Sequence, residues 1–281
     1  MSTLNNTSSS PSIAVIMSLY KNDVLQYVKL AVESILNQTY SNFDFYIQYD
    51  GPIRSEVDEY LSSLTDERLK IYKRDENKGL AHSLNDLLAI VMPMGYEYIA
   101  RMDADDISLP NRFEKQIEYL NIHKDIDCLG GAINEIDENG NDRGKITKYP
   151  CSPEECRVFF AKRNPVAHPT VMYRKSFFVK VGWQYPIDYV RNEDTRLWHE
   201  GYKFGCVIAN LPDVLLNFRM TDAMFAQRRN GKAFAKSQLE LRKVINKDLE
   251  FGFMANVYAY AMYLLMISPA WLLKLAYRIL R

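Results

Sequence analysis

Residues 96–106 read Tyr96-Glu97-Tyr98-Ile99-Ala100-Arg101-Met102-Asp103-Ala104-Asp105-Asp106. The stretch predicts a strand over Tyr96–Met102 that ends in three carboxylates within four residues. Carboxylates so close repel one another unless they are solvated, cap a helix or surround a cation, and hard divalent cations prefer such oxygen ligands. A helix N-terminus with acidic caps ahead of Pro110 and Asn111 is the plain alternative.

Upstream, three more strands precede this one. Ile13–Leu19 is a short apolar run rich in β-branched residues, and in Asp23–Leu36 the positions Val24, Val28, Ala31 and Ile35 recur at helical spacing. Phe43, Phe45, Ile47 and Tyr49 alternate with Asp44, Tyr46, Gln48 and Asp50, so the second strand ends at the Asp50-Gly51-Pro52 turn. A helix over Glu56–Leu64, a strand over Leu69–Tyr72 and a helix over Leu80–Val91 complete the series. Four strands joined by helical crossovers predict an α/β fold whose mostly parallel sheet carries helices on both faces. Downstream, Arg112–Leu120 reads as a helix, and Ile126–Ile136 leads into the hairpin signal Asn139-Gly140. No repeat and no Gly/Ser-rich linker separates this mixed second half from the first.

The chain has 281 residues, 47% of them apolar, with 35 Lys plus Arg against 35 Asp plus Glu. Those values exclude wholesale disorder, and a net charge of zero argues against general nucleic-acid binding, which needs excess cations to displace counterions. Cys128, Cys151, Cys156 and Cys206 lack the spacing of a zinc ribbon or redox pair, and read as reduced thiols of a cytoplasmic protein. Residues 1–11 read as a disordered tail without a secretory signal. Phe251–Leu273 runs 23 residues without a charge, but Pro269 interrupts it and Asn256, Tyr258, Tyr260 and Tyr263 dilute it. Lys274, Arg278 and Arg281 beside Trp271, Leu272, Leu275 and Ile279 suggest an amphipathic helix in a membrane interface; a packed core helix and a true span are the alternatives.

An EF-hand loop starting at Asp103 fails, because Pro110 interrupts it and its glycine is missing. An aspartyl-phosphate phosphatase would share only Asp103 and Asp105, and normally carries that pair on its first strand. A second acidic group, Asn192-Glu193-Asp194 before Leu197 and Trp198, opens a helix and reads either as a cap or as a general base facing a cleft. His168, before Pro169-Thr170, reads as a structural hydrogen-bonding residue or as a catalytic one.

In this order the motifs resemble inverting family-2 glycosyltransferases of the GT-A fold. The matching segments are Ser18-Leu19-Tyr20, Asp50, Asn77-Lys78-Gly79-Leu80 with Leu84-Asn85, Arg101 through Asp106, Arg112 with Gln116, His168-Pro169-Thr170, and Glu193-Asp194 before Leu197-Trp198. The resemblance implies a catalytic domain over residues 12–235, with a donor half at about 12–108 and an acceptor half at about 109–235; the apolar and basic residues beyond it read as a C-terminal helical membrane-associating segment over 236–281. It implies that Tyr20, Asp50, Asn77, Gly79, Arg101 and His168 belong to the donor site, with Asp50 accepting a hydrogen bond from uracil or ribose. Asp103 and Asp105 become the DXD pair on Mn²⁺ or Mg²⁺, Asp194 the general base, and Glu193 the neighbour that holds the acceptor or the loop. Many relatives place a metal-binding histidine two residues after the equivalent of Arg219, where this chain has Thr221; Arg228 and Arg229 could aid the pyrophosphate or be a solvated pair.

The implied reaction moves galactose or glucose from a UDP-sugar, in β linkage, to a lipid-linked GlcNAc-type acceptor on polyprenyl diphosphate. Its setting is O-antigen or surface-polysaccharide assembly on the cytoplasmic face of the inner membrane, with a peripheral or monotopic attachment. One rival is a nucleotidyltransferase, which would want a glycine-rich loop where Ser18-Leu19-Tyr20-Lys21-Asn22-Asp23 stands. The other is a non-catalytic subunit that binds sugar nucleotide or lipid.

Overall fold

β1 (Ile13–Leu19) sends Ile13, Val15, Met17 and Leu19 into one core and Ala14 and Ile16 into another, as the two-residue period of a strand requires. In this computed structural model, which describes residues 12–187, 192–221 and 232–268, both faces of β1 are therefore dry. α1 (Leu25–Leu36), β2 (Phe43–Tyr49), α2 (Ser55–Ser63), β3 (Leu69–Lys73), α3 (Leu80–Val91) and β4 (Tyr98–Arg101) follow as the pattern predicts. Next come β5 (Ile107–Ser108), α4 (Arg112–Ile122), β6 (Cys128–Ile136), β7 (Asp142–Thr147) and α5 (Pro153–Phe160). A 3-10 turn at His168–Thr170 leads to β8 (Met172–Arg174), α6 (Lys175–Val181), α7 (Glu193–Lys203), β9 (Ile208–Arg219), α8 (Lys232–Asp248) and α9 (Phe253–Ile267).

α1, α2 and α4 cover the first core with Val28, Val32, Ile35, Val57, Leu61, Phe113 and Leu120. On the opposite face, α3, α6, α7 and α8 contribute Leu84, Leu88, Phe177, Phe178, Trp198 and Leu241. The expected helices on both faces are thus present.

Among the described residues the strands form one nine-stranded sheet in the order β3-β2-β1-β4-β8-β6-β9-β5, with β7 paired to β6. β1 to β4 are mutually parallel. β8 runs antiparallel between β4 and β6, which restores the direction of the first four strands in β6 and β9. β1, β2, β3, β4, β6 and β9 consequently end at the same edge. The β6–β7 hairpin forms at the Asn139-Gly140 signal, with Gly140 at φ 87°.

α8 runs across residue 235, so the expected catalytic domain and C-terminal segment share a helix. α9 rests on α8 through Ala255 and Ala259, and Asn246 Nδ2 donates to Asn256 Oδ1 at 3.1 Å. Among the described residues no helix is long and apolar enough to cross a membrane. Residues 1–11, the Arg228-Arg229 pair and the amphipathic stretch from Trp271 to Arg281 lie outside the described residues.

Candidate active site

The loop after β2 is built around Asp50, which is only 4% exposed. One carboxylate oxygen accepts the N–H of Lys78 at 2.8 Å and the other that of Gly79 at 2.9 Å. Arg74 pairs with the same carboxylate and also reaches Asp86 at 2.7 Å and Ser83 Oγ at 2.9 Å. Asn77 Nδ2 donates to the Asp50 carbonyl at 3.0 Å. Asp50, Asn77 and Gly79 are thus brought together as one clamp, and only the remaining lone pairs of Asp50 are open to a further donor. Gly51 lies so near that a Cβ there would sit 2.7 Å from Asn77 N, and its φ of +78° also calls for glycine. Tyr20 stands beside this edge with its side chain exposed, while its N–H donates to Asp23 at 2.8 Å. A cleft of about 500 Å³ opens next to the clamp, lined by Tyr49, Pro52, Ile53, Asp58, Lys73 and Arg74 among others.

At the end of β4, Asp103, Asp105 and Asp106 place one oxygen each within 4.8 Å of one another. Asp103 is half-buried, Asp105 exposed, and Asp106 fully buried. One oxygen of Asp106 accepts the N–H of Arg219 at 2.8 Å, whereas its other, Oδ2, is buried without a partner. Burial, then repulsion from Asp105 and Asp103, pushes the Asp106 carboxyl well above the usual range. An orphaned buried oxygen facing two more carboxylates suits a hard divalent cation, so the residues fit the implied Mn²⁺ or Mg²⁺. Sequence reasoning placed Asp106 in the cluster but left it without a role; Arg219 brings it in.

Arg101 lies under this cluster and pairs with Asp103, and burial works against its charge while Asp103 raises its pKa. Its Nε and Nη1 are buried without partners. Beneath it, Arg112 Nη2 donates to the carbonyls of Arg101 at 2.9 Å and Val171 at 3.2 Å, and Arg112 Nε donates to Gln116 Oε1 at 3.1 Å. Gln116 in turn donates to the carbonyls of Leu129 at 2.9 Å and Thr170 at 2.8 Å. The Arg112 and Gln116 motif is therefore a buried strut that ties β4 to β6 and to the turn at His168. A strut of this kind has no periodic signature.

Glu193 and Asp194 open α7, as expected, and both are half-buried. Asp194 Oδ2 accepts from Asn164 Nδ2 at 2.8 Å, and Oδ1 accepts the Thr195 N–H at 2.5 Å. Burial raises the pKa of Asp194, against the lowering effect of Thr195. For Glu193, burial is again the first cause of a raised pKa, followed by Asp194; Asp103 adds to it, which connects this pair electrostatically to the acid cluster. His168 Nε2 meets Tyr185 Oη at 3.1 Å, and the ring packs against Trp198. Burial and then Arg101 hold the imidazole well below its usual pKa, hence neutral. Asn85 clamps Tyr185 through both its N–H, at 2.7 Å, and its carbonyl, at 3.0 Å. Arg74, Asn164 and Tyr185 escaped sequence reasoning because they join the site only through partners distant in the chain.

Comparison with known proteins matches the model described as Glycosyl transferase family 2 over residues 14–182. The chain is 33% identical over 251 residues to the O-antigen biosynthesis glycosyltransferase WbnJ of Escherichia coli, covering 88% of this chain and 94% of that one. It is 32% identical over 233 residues to the amylovoran biosynthesis glycosyltransferase AmsE of Erwinia amylovora, covering 82% and 84%. A third relative, 29% identical over 232 residues with 82% of each chain covered, is the UDP-Gal:alpha-D-GlcNAc-diphosphoundecaprenol beta-1,3-galactosyltransferase of Escherichia coli. Among solved structures, S. aureus TarS 1–349 in complex with UDP-GlcNAc superposes with a TM-score of 0.64 at 15% identity, over 90% of this chain and 70% of that one. The mannosyltransferase PcManGT of Pyrobaculum calidifontis, in complex with GDP-Man and Mn²⁺, gives 0.56 at 15% identity over 91% and 74%. The likeness to the two structures carries the fold, α/β of the GT-A type, and the family match carries the kinship. An acid-tipped fourth strand, a clamped glycine loop and a carboxylate pair opening α7 thus stand on a chain that belongs to glycosyl transferase family 2.

Proposed function

We propose that the protein is an inverting hexosyltransferase that moves galactose or glucose from a UDP-sugar to a lipid-linked GlcNAc-type acceptor, in the assembly of an O-antigen or surface polysaccharide. The observation that carries this reading is the convergence of three carboxylates at the end of β4, one of them with a buried unpartnered oxygen, in a chain of glycosyl transferase family 2. The substrate class is supported by the named substrates of the galactosyltransferase relative.

Asp103, Asp105 and Asp106 would hold a divalent cation, which supplies positive charge against the diphosphate of the departing nucleotide. Arg101 holds Asp103 in place, and the Asp50 clamp presents the loop from Arg74 to Gly79 to the nucleoside. Asp194, fixed by Asn164 and Thr195, takes the proton of the acceptor hydroxyl. The hydroxyl oxygen bonds to the anomeric carbon as the bond to the diphosphate breaks on the opposite face, so an α-linked donor gives a β-linked product. In this reading residues 12–108 serve the donor and 109–235 the acceptor, and the enzyme works as a peripheral protein on the cytoplasmic face of the inner membrane.

The test is a panel of radiolabelled nucleotide sugars offered with a GlcNAc-diphosphate-lipid analogue, with and without Mn²⁺. Transfer from UDP-galactose or UDP-glucose that stops on chelation is expected. Donor binding with neither transfer nor hydrolysis would instead indicate a non-catalytic subunit.

A further inference from the structure

α9 inverts the usual layout of a surface helix. Its 15 residues carry no charge, and only Ala255 and Ala259 are buried. At about 100° per residue, Phe253, Met254, Val257, Tyr260, Leu264 and Ile267 lie on the side opposite those alanines. Their exposure runs from 37% for Ile267 to 79% for Phe253. A contiguous exposed apolar face marks a surface with a partner.

We infer that this face of α9 lies in the surface of a lipid bilayer bearing anionic headgroups. Three features select lipid over a second copy of the chain. Residues 251–281 contain Lys274, Arg278 and Arg281 and no Asp or Glu, a charge balance complementary to an anionic surface. The helix itself has no flanking charge pairs of the kind that fix the register between two protein helices. Tyr260 and Tyr263 suit the headgroup level, where a ring with a polar tip is favoured. A helix of 15 residues spans about 22 Å, short of a hydrocarbon core of about 30 Å, so it lies along the surface.

The helix is also tied to the chemistry. Arg163 Nε donates to Tyr258 Oη at 3.3 Å, and the next residue, Asn164, donates to Asp194 at 2.8 Å. α9 thus sets the height of the Asp194 pocket above the bilayer, as an acceptor whose hydroxyl lies near a lipid-borne diphosphate requires. This last step rests on the acceptor class proposed above, and the lipid-facing role of α9 deepens the membrane attachment proposed there.

The full-length chain is to be sedimented with vesicles of phosphatidylglycerol and phosphatidylethanolamine, and with phosphatidylcholine alone. Binding to the anionic vesicles is expected, and the combined Phe253→Ser, Val257→Ser and Leu264→Ser variant should lower the partition coefficient by at least about tenfold. Tyr260→Trp, which leaves the stripe intact, placed in a chain whose Trp183, Trp198 and Trp271 are replaced by Phe, should show emission quenched by brominated lipid, and answers the question even if the triple variant misfolds. Wild type that ignores anionic vesicles, or an unquenched Trp, overturns the inference. So does a folded triple variant that binds like wild type, or a stripe that supports only dimers in sedimentation velocity. Transfer to a water-soluble acceptor, run on the same preparations, separates the two proposals. Vesicle binding without transfer sinks the transferase chemistry alone, and transfer without vesicle binding sinks this inference and the membrane attachment while the chemistry stands.

Discussion

Asp194 and Glu193 differ in what holds them: Asp194 is fixed by Asn164 and Thr195, while Glu193 feels the charge of Asp103. Losing a positioned base costs about 10²- to 10⁴-fold in rate, so Asp194→Asn is expected to lower kcat by that order with UDP affinity little changed. Full activity in Asp194→Asn beside a dead Glu193→Gln would exchange the two roles. Burial raises both pKa values, and a base must be ionised to accept a proton. Activity should therefore fall as pH drops through a pKa above the ordinary carboxylate range. Asn164→Ala removes a hydrogen bond that favours the ionised form of Asp194, so the acid limb of the pH profile of kcat/KM should move to higher pH. A profile that stays in place would deny Asp194 the base role.

At the level of elements, the close approach of two loops at Gly51 and the buried strut of Arg112 and Gln116 make the sharpest expectations. Gly51→Ala meets Asn77 N at 2.7 Å and keeps an unfavourable φ, so a loss of about 2 kcal/mol in urea unfolding is expected, with weaker UDP binding by calorimetry. Arg112→Met abandons two buried carbonyls and should cost about 3 kcal/mol. Arg112→Lys should recover little of it, because one ammonium cannot replace a planar fork. The first four strands were legible because each is an apolar or alternating run between helices. β5 has two residues and β8 three, too few for any period to show, and their place is set by partners on β9, β4 and β6. Glu193 and Asp194 were legible from their helix start. Asn164 was not, since what distinguishes it is its contacts with Asp194, Thr195 and Arg242, all of them 30 residues or more away. Asp50 was legible as the end of the second strand, but its bonds to Lys78, Gly79 and Arg74 depend on how two loops meet, which spacing along the chain does not encode.

Across the whole molecule, the three carboxylates repel one another without a cation, so Mn²⁺ should stabilise the folded state. At a hundredfold excess over Kd the gain is about 2.7 kcal/mol, which for a chain of this size is a rise in Tm on the order of 5 °C. EDTA should reverse it, and Asp106→Ala should reduce it strongly; an unchanged rise in that variant would remove Asp106 from the ligand set. The pairing of Asp106 with Arg219 across 113 positions also has a meaning for a chain still on the ribosome. β1 to β4 can assemble once residue 101 has emerged, yet the free edge of β4 waits for Met172 to Arg174. That interval of 71 residues, 172 less 101, lasts roughly 4–14 s at ordinary synthesis rates. Throughout it, the nascent sheet offers an unpaired edge to any neighbouring nascent chain, and Asp106 lacks the backbone N–H that will orient it. The half-made protein is thus prone to aggregate, and its acid cluster is completed only when β9 arrives.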